Sequence, residues 1–307
     1  MDYKIFWKIL KRILAVALCC FTVVSGARLA YLYINPSQRT AQGSLDVVVG
    51  GRINVLLLAT DKSGLLTDTI MLASCDSDRK IINLMSFPRD TRVKYGRGYQ
   101  KLNAVYALGE EGQRHENTIS YIRELTGMPI HYYVVVRPDG FRKIIDTLGG
   151  VWIDVPIRMY YNDPDQGLYI DLQPGYQLLD GAKAEQFTRF RSGYANADLG
   201  RIEAQQNFIK ALFEQKLKPE YLMKAGEIYQ HVIDCVDTNF QVSDIPIFLK
   251  ILQSLQGDSI TTYDMPMHTQ TINGASYVIC NVEETKALID SVFVGNAPPE
   301  ESPKETP

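Results

Sequence analysis

Three observations predict an α/β fold for this chain: strand-length apolar runs bounded by turn residues, helical segments set between such runs, and glycines where those helices stop. Residues 53–91 hold three runs in succession, Ile53 to Ala59, Thr69 to Cys75 and Lys80 to Phe87. Apolar runs of roughly four to eight residues suit strands buried on both faces of a sheet. Downstream, a helix is expected from Glu116 to Leu125, ended by Gly127 and Pro129. The strand HYYVVV follows, then a helix from Asp139 to Leu148 stopped by Gly149 and Gly150, then the strand VWIDVP. Strands alternating with helices argue for βαβ units, and therefore for a mixed, largely parallel central sheet flanked by helices.

The other elements take their places around this frame. MDYKIFWKILKR opens the chain and ILAVALCCFTVVSGA follows from Ile13 to Ala27. Basic residues before an apolar run mark a membrane-targeting segment with its amino terminus in the cytoplasm. Two readings fit: an anchor extended by Leu29 to Ile34 with Arg28 snorkelling, or a signal peptide cleaved after the small residues Ser25 and Ala27. A polar, Gly-containing stretch then reads as a stalk. Lys101 and Asn103 introduce a short helical stretch, and a Tyr-, Asp-, Gly- and Pro-rich segment from Tyr160 to Leu179 reads as loop and hairpin. Helices are expected to about Lys218, from Glu220 to about Asp234, from Ser243 to Leu255 and from Glu283 to Val292, with edge strands at Ile260 to Met265 and Tyr277 to Cys280. The terminal APPEESPKETP is too rich in Pro and Glu to fold.

Composition removes several function classes. Hydrophobic residues make up 46% of the 307, ample for a core, and a formal net charge of −3 argues against a broadly cationic nucleic-acid-binding surface. The five cysteines are scattered without CxxC or Cys/His spacing, which reads as small buried hydrophobes rather than a disulfide or zinc scaffold. His115, His131, His231 and His268 show no metal-binding spacing, and no GxSxG, P-loop or dinucleotide fingerprint is present.

Charge appears where the apolar runs end. Asp61 follows the first run, Asp68 precedes the second, and Arg89 and Asp90 follow the third. Charge beside a buried strand is costly unless it is paired or reaches a cleft, so these side chains are expected at one rim of the sheet, where open α/β sheets bind ligands. Carboxylates are the natural ligands of Mg²⁺, and arginine offers a bidentate fork to phosphate. Ordinary turn chemistry accounts for Asp61 and Asp68 equally well. A second cluster runs from Gln186 to Gln206. Arg189 and Arg191 are two apart and share a side if the chain is extended there. Arg201 and Gln205 are four apart on a helix that Asp198 is placed to cap. A helix amino terminus with two arginines beside it makes an anion site.

The segments VLLLATD, TDTIML, NLMSFPRDT, KLNAVYALG, GMPIHYYVVV, DGFRKIIDTLGGVWIDVP, DLQPGYQLLDGAKAEQFTRFR and DLGRIEAQQNFIKAL, in that order, resemble the LytR-CpsA-Psr family of cell-envelope phosphotransferases over Ile53 to about Leu212. The resemblance implies a three-layer αβα domain at 46–295 on a transmembrane signal anchor at 13–34. It leaves 1–12 cytoplasmic, 35–45 as the stalk and 296–307 as a disordered tail. It implies a single-pass protein of the cell membrane with its catalytic domain extracytoplasmic, and no nucleic-acid partner, since residues 1–12 are far too few for a DNA-binding module.

Carried over position by position, Asp61 and Asp68 become the Mg²⁺ site, which Mn²⁺ also suits. Arg89, Lys101, Arg189, Arg191, Arg201 and Gln205 become contacts of a polyprenyl diphosphate, with Asp90 among the catalytic residues and Asn103 and Asp198 in support. The implied reaction moves a phosphoglycan (teichoic acid, capsule or a similar wall polymer) from its polyprenyl diphosphate carrier to peptidoglycan. Two positions depart from the family pattern: Leu66 stands where an arginine usually precedes the Thr-Asp-Thr triplet, and Ser63 where an arginine often follows the first aspartate. They motivate a second reading, a non-catalytic binder of polyprenyl phosphate or lipid-linked glycan.

Overall fold

A computed structural model of the chain describes residues 51–164, 168–193, 197–216, 221, 225–245, 248 and 259–294, all within the compact unit Gly50–Pro307. The proposed membrane segment, the stalk, the terminal tail and most of the helix expected at 243–255 lie outside the described residues.

The apolar runs form β1 (Arg52–Thr60), β2 (Thr67–Asp76) and β3 (Ile81–Ser86). A projecting hairpin follows, β4 (Arg92–Tyr95) and β5 (Gly98–Lys101), then α1 (Leu102–Ala107) and α2 (His115–Thr126). Next come β6 (Tyr132–Val136), α3 (Pro138–Thr147) and β7 (Val151–Val155). The segment expected as loop and hairpin is β8 (Met159–Asp163), β9 (Leu168–Leu172) and β10 (Gly175–Leu179): β8 pairs with β9, while β10 returns to β7. Then follow α4 (Gly181–Arg189), the long α5 (Ala197–Lys216), α6 (Ala225–Val232) and β11 (Val236–Thr238). The described chain closes with β12 (Ile260–Asp264), the hairpin β13 (Met267–Ile272) and β14 (Ala275–Cys280), α7 (Val282–Leu288) and a π-helical turn at Ile289–Val294.

Six strands make the central sheet, in the order β11-β6-β1-β2-β3-β12. It is mixed but not largely parallel. Only β1–β6 and β3–β12 run parallel, while β1–β2, β2–β3 and β6–β11 are antiparallel. The reason is connection length: a parallel crossover needs about a dozen residues or more, and the links at 61–66 and 77–80 allow only a meander. Direction fixes the rim. The carboxyl ends of β1, β3, β6 and β12 and the amino end of β2 emerge on one side.

Successive residues of a strand face opposite sides. Leu56 and Leu58, with Ile70, Leu72 and Val135, pack against Leu102, Val105, Ile119 and Ile122 of α1 and α2 in one core. A second core joins α3, α4 and α5 to the strands β7 to β10, through Ile145, Val151, Phe187 and Phe208. The central sheet thus lies between two helical layers.

Candidate functional site

Between the sheet and the α3/α5 layer lies a cavity of about 250 Å³. Its walls are Leu57 and Ala59 of β1, Met71 of β2, Val134 and Val136 of β6, Phe141 and Ile144 of α3, and Phe208, Ile209, Leu212 and Phe213 of α5. Leu57, Ala59, Val134 and Val136 are only half-buried, although their neighbours Leu56, Leu58 and Val135 are buried. The charged lining residues, Asp61, Asp68, Arg137, Glu185 and Arg189, gather at the rim with Thr188 and Gln205. Asp61 follows β1 and Arg137 follows β6, which run parallel in the register Ala59↔Val136, and Arg137 Nη2 donates to the Lys62 carbonyl at 3.3 Å, so both residues reach the rim from neighbouring strands.

The rim is held by a chain of ion pairs. Arg89 Nη1 donates to Asp68 Oδ1 at 2.5 Å, and Arg191 Nη2 lies 3.9 Å from the same oxygen. Arg89 Nε is 3.7 Å from Asp90 Oδ2, and Lys101 Nζ is 2.9 Å from Asp90 Oδ1. These side chains are about one-fifth to two-fifths exposed, so the pairs are open to exchange for a ligand anion at modest cost. Backbone bonds seat the KLN segment against them: Asn103 N–H donates to the Arg89 carbonyl at 3.0 Å and Leu102 N–H to the Thr91 carbonyl at 2.8 Å. Asn103 itself is buried in α1.

Across the cavity, Arg189 is the last residue of α4 and not part of an extended strand. The condition for Arg189 and Arg191 to share a side, an extended chain, is not met: Asp180 caps α4, accepting from Lys183 N–H at 2.8 Å, and the helix runs to Arg189. Only Phe190, buried and extended (φ −65°, ψ 139°), turns the chain. Arg189 Nη1 donates to Glu185 Oε1 at 2.8 Å, and Arg142 Nη1 lies 3.2 Å from Glu185 Oε2. Gly181 permits this, since a Cβ there would collide with the Arg142 carbonyl where α3 meets α4. Gln205 Nε2 donates to the Thr188 carbonyl at 3.1 Å, and Arg201 is buried one turn earlier on α5. Asp198 lies one residue inside a helix that begins at Ala197, so it does not occupy the cap, and its side chain lies outside the described residues.

Asp61 is the most enclosed carboxylate in hydrogen-bond terms. Ser63 Oγ donates to both of its oxygens at 2.8 Å, and the N–H groups of Leu65 and Leu66 reach Oδ1 at 3.0 and 3.2 Å. Burial works to raise this carboxyl, but the Ser63 hydroxyl and the amides of Leu66, Leu65 and Gly64 outweigh it and hold Asp61 below its ordinary value. Ser63 therefore acts on Asp61, while Leu66 is 38% exposed. By contrast, burial pushes the Cys75 thiol up to about 12, which removes it as a nucleophile.

The structure thus gathers Asp61, Asp68, Arg189 and Gln205 on one cavity, and Arg89, Asp90, Lys101 and Arg191 along its ion-pair chain. Sequence reasoning missed Glu185, Arg137 and Gln206. Glu185 stands four residues before Arg189, a helical ion-pair spacing that carried the signal. Gln206 Nε2 donates to Asp264 Oδ1 at 2.7 Å and to Ser86 Oγ at 3.0 Å, tying α5 to the rim. Among the described residues no cluster of three or more His, Cys, Asp or Glu side chains forms a metal cage. Two carboxylates at one anion-binding rim suit Mg²⁺, which completes its shell from phosphate and water.

Comparison with known proteins places this architecture. A profile of the LytR_cpsA_psr family matches residues 27–292. The chain is 31% identical over 238 residues to the polyisoprenyl-teichoic acid–peptidoglycan teichoic acid transferase TagU of Oceanobacillus iheyensis, covering 76% of this chain and 72% of that protein. It is 27% identical over 183 residues to the transferase TagV of Bacillus subtilis, covering 58% of this chain and 46% of TagV. The crystal structure of B. subtilis TagV shares the fold with a TM-score of 0.66 at 22% identity, over 78% of this chain and 96% of the other.

Proposed function

Since the chain belongs to the LytR-CpsA-Psr family, we propose that it is a phosphotransferase that moves a phosphoglycan from a polyprenyl diphosphate carrier to peptidoglycan. One observation carries the reading: an apolar cavity opens onto a rim of arginines and carboxylates. A prenyl diphosphate has the same two halves. Each methylene buried against Leu57, Val134 and Phe213 contributes about 0.8 kcal/mol, and the diphosphate takes the charged end. The relatives' names support the transfer of teichoic acid to peptidoglycan.

In this reading Arg89, Arg189 and Arg191 bind the diphosphate through charge-assisted hydrogen bonds, with Glu185 orienting Arg189 and Asp90 orienting Arg89 and Lys101. The acceptor hydroxyl oxygen forms a bond to the phosphorus that carries the glycan, the bond from that phosphorus to polyprenyl phosphate breaks, and the hydroxyl proton passes to solvent or to the released phosphate. The guanidinium groups stabilise the charge that gathers on the phosphoryl and leaving oxygens. Asp61 and Asp68 are the residues that would hold Mg²⁺, which would neutralise phosphoryl charge when bound. Segment 13–34 anchors the enzyme, so that the domain meets lipid-linked substrate at the outer face of the cell membrane.

A second reading, a binder without turnover, draws support from Asp61, whose oxygens already receive Ser63 and two backbone amides. One assay decides. Full-length chain is incubated with a polyprenyl diphosphate-linked glycan, a peptidoglycan oligomer and Mg²⁺ while polyprenyl phosphate is followed. The transferase reading expects release coupled to glycan transfer, lost with EDTA and in Arg189→Ala. Tight lipid binding with no release would make the protein a binder.

A further inference from the structure

The β4–β5 hairpin carries a concentration of charge of which the rim uses only Lys101. Residues 92–101 include Arg92, Lys94, Arg97 and Lys101 and no acid, in a chain of formal net charge −3. Val93 is buried (2% exposed) and faces inward, which turns Arg92 and Lys94 outward. The register pairs Arg92 with Lys101 and Lys94 with Tyr99, so all four side chains share the outer face. Like charges directly opposite each other destabilise a hairpin. Only Lys101 is offset, by Asp90 at 2.9 Å; among the described residues no carboxylate forms an ion pair with Arg92, Lys94 or Arg97. Aromatic rings hold Arg92, and also Lys101. The Arg92 guanidinium lies 3.4 Å over the Tyr99 ring, and it and Lys101 Nζ share the Tyr277 ring of β14 at 5.9 and 5.8 Å.

We propose that this outer face is a subsite for the phosphodiester-bearing repeats of a polyanionic glycopolymer. Stacking fixes the guanidinium plane while leaving its N–H edge to donate, so an incoming phosphate finds a fork already oriented. Tyr99, 51% exposed, adds its second ring face beside it for sugar C–H groups. The face continues from the rim through Lys101, Asp90, Arg89 and Asp68. It also belongs to the side of the sheet opposite the cavity, because Val93 and Leu102 join the α1/α2 core. A lipid in the cavity and a polymer on the hairpin therefore leave the diphosphate in different directions. A lipid surface is the less suited occupant, since the tip is Gly96 and Arg97 and the exposed rings beside it, Tyr95 and Tyr99, end in hydroxyls rather than in an aliphatic wedge. The polymer's origin rests on the transferase reading; the binding does not.

The test titrates full-length chain in non-ionic detergent with lipid-free polyglycerol phosphate, and with dextran of matched length as the uncharged control, by calorimetry. The expected result is binding of the phosphate polymer alone, weakened by raised salt and by about tenfold or more in Arg92→Ala/Arg97→Ala. Lys94→Ala/Arg97→Ala, at two exposed positions, serves as the second variant should loss of the Arg92 stack disturb folding. Equal binding of dextran, no binding of polymer, or unchanged affinity in both variants would overturn the subsite. So would loss in the variants of affinity for phosphatidylglycerol vesicles with polymer affinity intact, which assigns the face to membrane. Turnover of the unmutated chain is measured alongside; its absence would overturn the transferase reading and leave the polymer result standing.

Discussion

Residues one position apart on the same strands meet opposite surroundings in this molecule. Leu56 and Leu58 of β1 and Val135 of β6 are buried against the layer that includes α1 and α2, while Leu57, Ala59, Val134 and Val136 stay half-buried over the cavity. The difference separates two tasks. One face of the sheet is packed to protein density and carries stability; the other withholds apolar burial that a ligand can supply. Rim charge follows the open face: Asp61, Arg137 and Asp68 stand where the cavity strands end or begin.

The comparison is sharpened most by truncating each face. Leu56→Ala is expected to cost about 2–5 kcal/mol of stability, and Leu57→Ala under about 1 kcal/mol because its neighbours already leave space; chemical denaturation of both variants reads the difference, and equal losses would break it. Enlargement should follow the same pattern. Val135→Phe overpacks the closed face at about 1–3 kcal/mol, whereas Val134→Phe fills the cavity with little change in stability and loses affinity for polyprenyl phosphate, measured by calorimetry. At the rim, Glu185→Gln frees Arg189 and Arg142 from their shared carboxylate, and kcat/KM is expected to fall about tenfold, one charge-assisted hydrogen bond's worth, with stability nearly kept.

The smallest effect is a titration. Because the Asp61 carboxyl is held below its ordinary value in the fold, its contribution to stability is complete above the unfolded value of about 3.9 and is lost as pH falls through the lower folded value. Ser63→Ala removes the hydroxyl that opposes burial, so the Asp61 carboxyl should move upward and the 61–66 loop should loosen at higher pH. Carbon-detected NMR of the Asp61 carboxyl checks this, and an unmoved titration would show that the amides suffice.

Four strands of this sheet were legible because β1, β2, β3 and β6 are continuous apolar runs with clear stops. Their directions were not, because strand and helix alternate only after Lys101, and the meander ahead of it lies in two short links. Most of the rim was legible through charges that interrupt apolar runs, together with family resemblance for the arginines. The cavity was invisible for a physical reason: Leu57, Val134, Phe208 and Ile209 have the same composition whether they face a packed core or a ligand. Arg137 was hidden because the 61–66 loop, whose Lys62 carbonyl it reaches, is distant in sequence and comes near only through the parallel β1–β6 pairing. The polarity of the Arg189–Arg191 turn depended on where α4 ends, the feature of a helix that sequence fixes least.

The most direct test of the account is photolabelling of the full-length chain with a polyprenyl diphosphate that carries a diazirine on its terminal isoprene, followed by peptide mapping. The account predicts labels on cavity residues such as Val134, Ile209 and Phe213, competed away by unlabelled polyprenyl phosphate and lost in Val134→Phe. Labels confined to exposed residues such as Leu66 or Tyr99, with the cavity untouched, would contradict it.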